Sequence, residues 1–121
     1  MTKEEKDLLV KDLSARSPYG VKCVFYDKCI DEEDKGTITG MHKHIYFVID
    51  GVCIDAENVK PYLFPLSSMT EEQEREVYDI CKGYKIGYES KLIDFYNENH
   101  IDYRGLIPMG LAIDATGLGI Y

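Results

Sequence analysis

Ile45-Tyr46-Phe47-Val48-Ile49-Asp50-Gly51-Val52-Cys53-Ile54 has the form of a β-hairpin. Ile45–Ile49 is rich in β-branched and aromatic residues, the side chains that suit a pleated surface. Asp50-Gly51 is a type I′ turn signal, because both central positions of that turn require positive φ. Val52-Cys53-Ile54 is then the return strand. Upstream, Val21–Tyr26 alternates: Val21, Cys23 and Phe25 point one way, Lys22, Val24 and Tyr26 the other. Asp31-Glu32-Glu33-Asp34-Lys35-Gly36 reads as a polar turn and Thr37–Met41 as a strand, with His42-Lys43 closing a tight turn. The expectation is a small antiparallel meander of four strands, or an SH3-like curled sheet. Such a sheet needs helices over one face to make a core.

The flanks supply those helices. Thr2 and Glu5 form a T-x-x-E capping box, and Leu8, Leu9, Asp12 and Leu13 follow at helical spacing. Pro18 ends this helix, since it disfavours helical backbone at Ser17 and lacks a donor. Thr70 and Gln73 form a second capping box, with Glu71, Glu72 and Glu74 at the positive end of the helix dipole. Val77, Ile80 and Cys81 are expected to face inward. A third helix is expected over Tyr88–Asn99, with Leu92, Phe95 and Tyr96 inward. Between sheet and helices lies Val59-Lys60-Pro61-Tyr62-Leu63-Phe64-Pro65-Leu66. Two prolines argue for an extended or edge segment rather than a central strand. The tail from Ile101 to Tyr121 is rich in apolar residues and is expected to pack on the body. The reading is a single α+β domain over residues 1–121.

Composition limits function. The chain has 121 residues and carries 22 acids against 14 bases, a formal net charge of −8. That balance argues against general nucleic-acid binding and against docking on anionic membranes. No apolar run suits a membrane span. Met1-Thr2-Lys3-Glu4-Glu5-Lys6-Asp7 has no apolar signal core, so a cytoplasmic protein with free thiols at Cys23, Cys29, Cys53 and Cys81 is expected. Cys23, Cys53 and Cys81 sit in apolar patterns and should be buried.

Few motifs carry chemistry. His42-x-His44 puts two imidazoles on one strand face but has no third ligand fixed by spacing, so no metal is assigned. Ser67-Ser68 lacks the G-x-S-x-G frame, and Gly117-x-Gly119 lacks the strand and helix of a nucleotide loop. No cofactor is expected. The densest polar cluster is His100-Ile101-Asp102-Tyr103-Arg104-Gly105. There His100 would cap a helix end and Arg104 would pair with Asp102 or Asp94. The run Asp31–Asp34 is a solvated loop or an acidic surface for a basic partner. Ten tyrosines lean toward recognition, because Tyr offers area at low entropy cost.

Two stretches carry a resemblance: Val59-Lys60-Pro61-Tyr62-Leu63-Phe64-Pro65-Leu66-Ser67-Ser68-Met69-Thr70-Glu71-Glu72, and Asp94-Phe95-Tyr96-Asn97 with His100-Ile101-Asp102-Tyr103-Arg104-Gly105-Leu106-Ile107 and Gly110-Leu111-Ala112. The chain resembles a group of small proteins of gut Bacteroidetes and their phages or mobile elements, which show a K-P-Y-L-x-P-x-S-S-M-T-E-E block and a later D-Y-R-G-L-I block. The resemblance implies a bacterial or phage cytosolic setting. It implies no activity, since none is assigned to the group.

The expected function is therefore non-enzymatic protein binding, through Lys60, Tyr62, Phe64, His100, Asp102, Tyr103 and Arg104. Rigid aromatics between two prolines make good interface anchors. One alternative is a binder of a small anionic ligand such as a nucleotide signal, held by Arg104, Lys60 and His100 among tyrosines. Another is a small enzyme using His100 and Asp102 as acid and base. Exposed aromatics would also suit a homodimer.

Overall fold

The computed structural model describes residues 1–43, 46–84 and 86–121, with Tyr84 described by its backbone alone. Helix α1 spans Lys3–Arg16 and starts at the Thr2/Glu5 capping box, in which each residue's side chain accepts the other's backbone N–H. A 3₁₀ turn at Ser17–Tyr19 then leads to Gly20 in the left-handed region. Four antiparallel strands follow: β1 Lys22–Asp27, β2 Glu32–His42, β3 Tyr46–Ile49 and β4 Val52–Asp55. The β3–β4 turn has the expected geometry, with φ of 50° at Asp50 and 83° at Gly51. The chain continues through β5 Val59–Pro65, α2 Glu71–Cys81, α3 Tyr88–Glu98, β6 Ile101–Asp102 and β7 Ile113–Asp114. The protein is thus α+β: an N-terminal helix, a mixed sheet in the order β4-β3-β2-β1-β5-β6, two further helices and a short C-terminal strand region.

Two sequence expectations need correction. The acidic run is strand rather than turn: Glu32, Glu33 and Asp34 pair with Asp27, Tyr26 and Phe25. The ladder with β1 supplies hydrogen bonds that outweigh poor local β propensity. The reversal lies just before it, where Asp31 has φ of 51° and accepts a hydrogen bond from the Tyr26 hydroxyl. Second, Val59–Pro65 is an internal strand. It pairs antiparallel with β1 and parallel with both β6 and β7. The prolines are tolerated because neither has to donate: Phe64 N–H donates to His100 O, and Ala115 N–H donates to Leu63 O. Pro61, Tyr62 and Leu63 are buried in succession, as in a strand covered on both faces.

The core lies where Leu9 and Leu13 of α1 meet Val21, Cys23, Phe25, Ile38, Phe47, Ile49 and Ile54 of the meander. The tail does pack on the body: Leu106, Leu111 and Ala112 join this core, while Met109 and Leu118 stay exposed. The Tyr121 hydroxyl accepts from Lys22 N–H and donates to Tyr62 O, both at 2.8 Å. Burial pushes its phenol up to about 12, so it keeps the proton it donates. Helix α2 buries no residue, and Val77, Ile80 and Cys81 are only half-covered. Its packing partner is α3. The four cysteines are free, with Cys23 buried but Cys53 exposed. Burial pushes the Cys23 thiol up to about 12, which removes its nucleophilic form. Among the described residues, no helix is long and apolar enough to cross a membrane.

The β2 strand contains two glycines with opposite surroundings. A Cβ at Gly36 would sit 2.6 Å from Ile49 Cγ2 and 2.6 Å from Asp50 Oδ2, whereas one at Gly40 would meet nothing within 4 Å. Gly36→Ala is therefore expected to destabilise the fold by about 1–3 kcal/mol. Gly40→Ala should stay within about 0.5 kcal/mol of the parent. Urea unfolding of both variants measures the contrast.

Candidate functional site

Leu9, Asp12, Leu13 and Arg16 recur along α1 at i, i+3, i+4 and i+7, the spacing of one helix face. That face is buried, so it carries an ion pair into the interior. Arg16 Nε lies 2.7 Å from Asp12 Oδ2, and both side chains are fully buried. Arg16 Nη2 donates to Ile101 O at 2.6 Å, which ties the helix to β6. Arg104 Nε reaches the other carboxylate oxygen of Asp12 at 3.1 Å. One carboxylate thus serves two guanidiniums. Arg104 pairs with Asp12 and not with Asp102 or Asp94.

Both guanidiniums lie over the ring of Tyr103, at 5.2 Å for Arg16 and 4.9 Å for Arg104. Arg104 Nη2 also donates to the Tyr103 hydroxyl at 3.2 Å. Tyr96 of α3 stacks on Tyr103 with centroids 5.4 Å apart. Asp102 is occupied by the turn that follows it, accepting from Leu106 N–H and Ile107 N–H at 2.9 Å each. Gly105 completes the turn with φ of 78°.

The stacked Tyr96–Tyr103 pair forms part of a groove of about 560 Å³. Its helical wall is Glu89, Leu92, Ile93 and Tyr96, again at i, i+3, i+4 and i+7, and Leu66 lines it too. Leu66 and Ile93 are 44% and 41% exposed, so the groove is open to solvent. A second groove of about 500 Å³ shares Leu66 and Tyr103 and runs on past Asp102, Arg104 and Pro108. No protein-family model, curated protein or solved structure matches the chain. The surface of these grooves is mainly aliphatic and aromatic, on a backbone held by buried ionic bonds, and that suits capture of apolar side chains.

The residues singled out from sequence separate into two groups. Asp102, Tyr103 and Arg104 lie at the grooves. Lys60, Tyr62, Phe64 and His100 line neither. Lys60 is exposed on β5 and Tyr62 is buried. Phe64 and His100 pack on Tyr121, with His100 stacked at 3.8 Å and 11°. His100 follows α3 in the left-handed region, φ 58°, and its N–H donates to Asn97 O. Its Nδ1, like Arg16 Nη1 and Asn97 Oδ1, is buried with no hydrogen-bond partner among the described residues. No hydrogen bond joins it to Asp102, whose two oxygens are taken by backbone N–H groups. Of the His42/His44 pair, His44 lies outside the described residues. Among the described residues, no cluster of three His, Cys, Asp or Glu could hold a metal.

Sequence reading did not pick out Arg16, Leu66 or Ile93. The helical spacing of Asp12 with Arg16, and of Glu89 with Ile93 and Tyr96, was the available signal.

Two measurements follow from these contacts. Asp12→Asn leaves Arg16 buried without its counter-ion and should destabilise the fold by about 3–5 kcal/mol in urea unfolding. Arg104→Met should destabilise it less, because the Arg104 side chain is 21% exposed. Burial, aided by the charges of Arg16 and Lys22, pushes the His100 imidazole from 6.5 down to about 4. The folded state keeps His100 neutral where the unfolded chain takes up a proton. Acidification from 6.5 to about 4 should therefore erode stability, with no contribution from this group above that window. His100→Asn tolerates the same backbone and should flatten that part of the stability–pH curve.

Proposed function

We propose that this chain is a non-enzymatic protein-binding module whose docking site is the groove over Tyr103. The observation that carries this reading is the uncovered Leu66–Leu92–Ile93–Tyr96 surface, beside an aromatic pair whose Tyr103 ring lies under buried Arg16 and partly exposed Arg104. A rigid, preformed aromatic floor loses little entropy when a partner lands on it. Leu66 and Tyr103 belong to the two blocks that resemble the small proteins of gut Bacteroidetes and their phages. That resemblance supports a cytoplasmic role in such a setting.

The alternative readings have less support. A small anion would need a free cationic pocket, yet Arg104 is engaged by Asp12 and the Tyr103 hydroxyl, and Lys60 and His100 line neither groove. Acid–base work by His100 would need access and an orienting group. The ring instead packs on Tyr121 and has no hydrogen bond to Asp102.

The test is site-specific photo-crosslinking in the native host. A photoreactive phenylalanine analogue replaces Ile93 in one variant and Val52 in another. Val52 is equally exposed at 40% but lies on β4, away from the groove. The expected outcome is one discrete crosslinked protein from position 93 and none from position 52. Identical products from both positions, or none from 93, would remove the reading.

A further inference from the structure

We propose that the occupant of this groove is an amphipathic helix of a partner protein, with apolar residues at i, i+3 or i+4, and i+7 and with lysine or arginine on its flanks. The inference rests on the docking function proposed above and names the chemistry of the partner.

The shape argument starts from the wall. Glu89, Leu92, Ile93 and Tyr96 form a two-turn ridge on α3, about 10 Å long at 1.5 Å per residue. A ridge at i, i+3, i+4 and i+7 is the surface against which a second helix packs, with its own apolar side chains set between those of the first. Leu66 stands at the groove with the Tyr96–Tyr103 pair, so an incoming helix meets apolar side chains beyond α3 as well. Helix-in-groove docking uses this arrangement of anchors.

The charge argument selects the partner. Helices α2 and α3 together hold eight carboxylates against two cations, Arg75 and Lys91. Most of the net charge of −8 is therefore concentrated on two packed helices, of which α3 walls the groove and α2 lies behind it. Glu89 is exposed and lines the groove itself. Helix α2 packs on α3 at an axis separation of about 8–10 Å, and its five carboxylates are exposed to solvent. Glu89 acts on a ligand in the groove directly, and the α2 carboxylates add a longer-range field that salt screens over about one Debye length. A second copy of this chain would set these carboxylates against their own duplicates. A nucleic acid would meet the same repulsion. A cationic helix gains from both surfaces at once: apolar burial in the groove and charge attraction at its rim.

The experiment compares synthetic helical peptides of one length. Each carries leucine at i, i+3, i+4 and i+7, and the remaining positions are mainly lysine in one, glutamate in the second and glutamine in the third. Binding is read by calorimetry, and its location by amide shifts of the labelled protein. The lysine peptide is expected to bind at least about tenfold tighter than the glutamate peptide and to weaken with salt. Its shifts should map to α3, Leu66 and Tyr103. The double variant Leu66→Ser/Ile93→Ser changes exposed side chains only and should weaken that binding by about tenfold or more.

Three results would overturn the inference. Equal or tighter binding of the glutamate or glutamine peptide in the groove would refute the cationic partner and leave the docking function standing. Lysine-peptide binding untouched by the double variant would show charge attraction without the groove. A dimer in sedimentation that the double variant dissociates would make a second copy the occupant. If no peptide binds, the crosslink from position 93 separates the cases: with a crosslink only the partner chemistry fails, and without one the docking function fails as well.

Discussion

The Asp12 carboxylate sits in the interior between Arg16 and Arg104, and the packing of the protein's helical end depends on it. A buried carboxylate or guanidinium is tolerated only when paired and hydrogen-bonded. Satisfying Asp12 therefore fixes three things at once. It sets the rotation of α1, since Asp12 and Arg16 share a face with Leu9 and Leu13. It holds β6 through the Arg16 bond to Ile101 O. It draws the turn after β6 inward through Arg104. Arc of chain far apart in sequence is brought together by one charge-neutralisation requirement.

The aromatic surface above that network follows from it. Tyr103 lies between residues whose bonds are already committed, Asp102 to the turn and Arg104 to Asp12. Its ring has little freedom, and Tyr96 stacks where the ring is held. The resulting groove is apolar at its surface and ionic beneath. This explains how a chain with a net charge of −8 presents a fixed aromatic site. Beside this network, near Arg16, Tyr121 joins β1 to β5 through one hydroxyl and shields His100 with its ring.

Local signals in the chain were legible where local physics sets the structure. The Thr2/Glu5 and Thr70/Gln73 capping boxes, the Pro18 stop and the Asp50-Gly51 turn all depend on groups within a few residues of each other. The alternation of Val21, Cys23 and Phe25 likewise marked the buried face of β1. Signals failed where a distant partner intervened. Glu32–Asp34 has turn composition, but pairing with β1 makes it strand. Pro61 and Pro65 mark an edge by local rules, but the hydrogen bonds of β5 fall on neighbouring residues. At the site, Tyr103 and Arg104 were visible as a polar cluster, whereas Arg104's partner lies 92 residues earlier in the chain.

The sequence by itself determined the class of the fold, the starts of the helices, the register-setting hairpin turn and the net acidic charge. Each of these is a sum over near neighbours or over the whole composition, and neither sum needs coordinates. Only the tertiary structure decided which of the tyrosines form a surface and which fill the interior: Tyr62 is buried, while Tyr96 and Tyr103 line an open groove. Of Leu92, Phe95 and Tyr96, all expected inward, it buried only Phe95 and left Leu92 and Tyr96 on the groove. Burial depends on what a side chain meets from elsewhere in the chain. Helical spacing names the faces of α3 but does not say which one the remainder of the protein will cover.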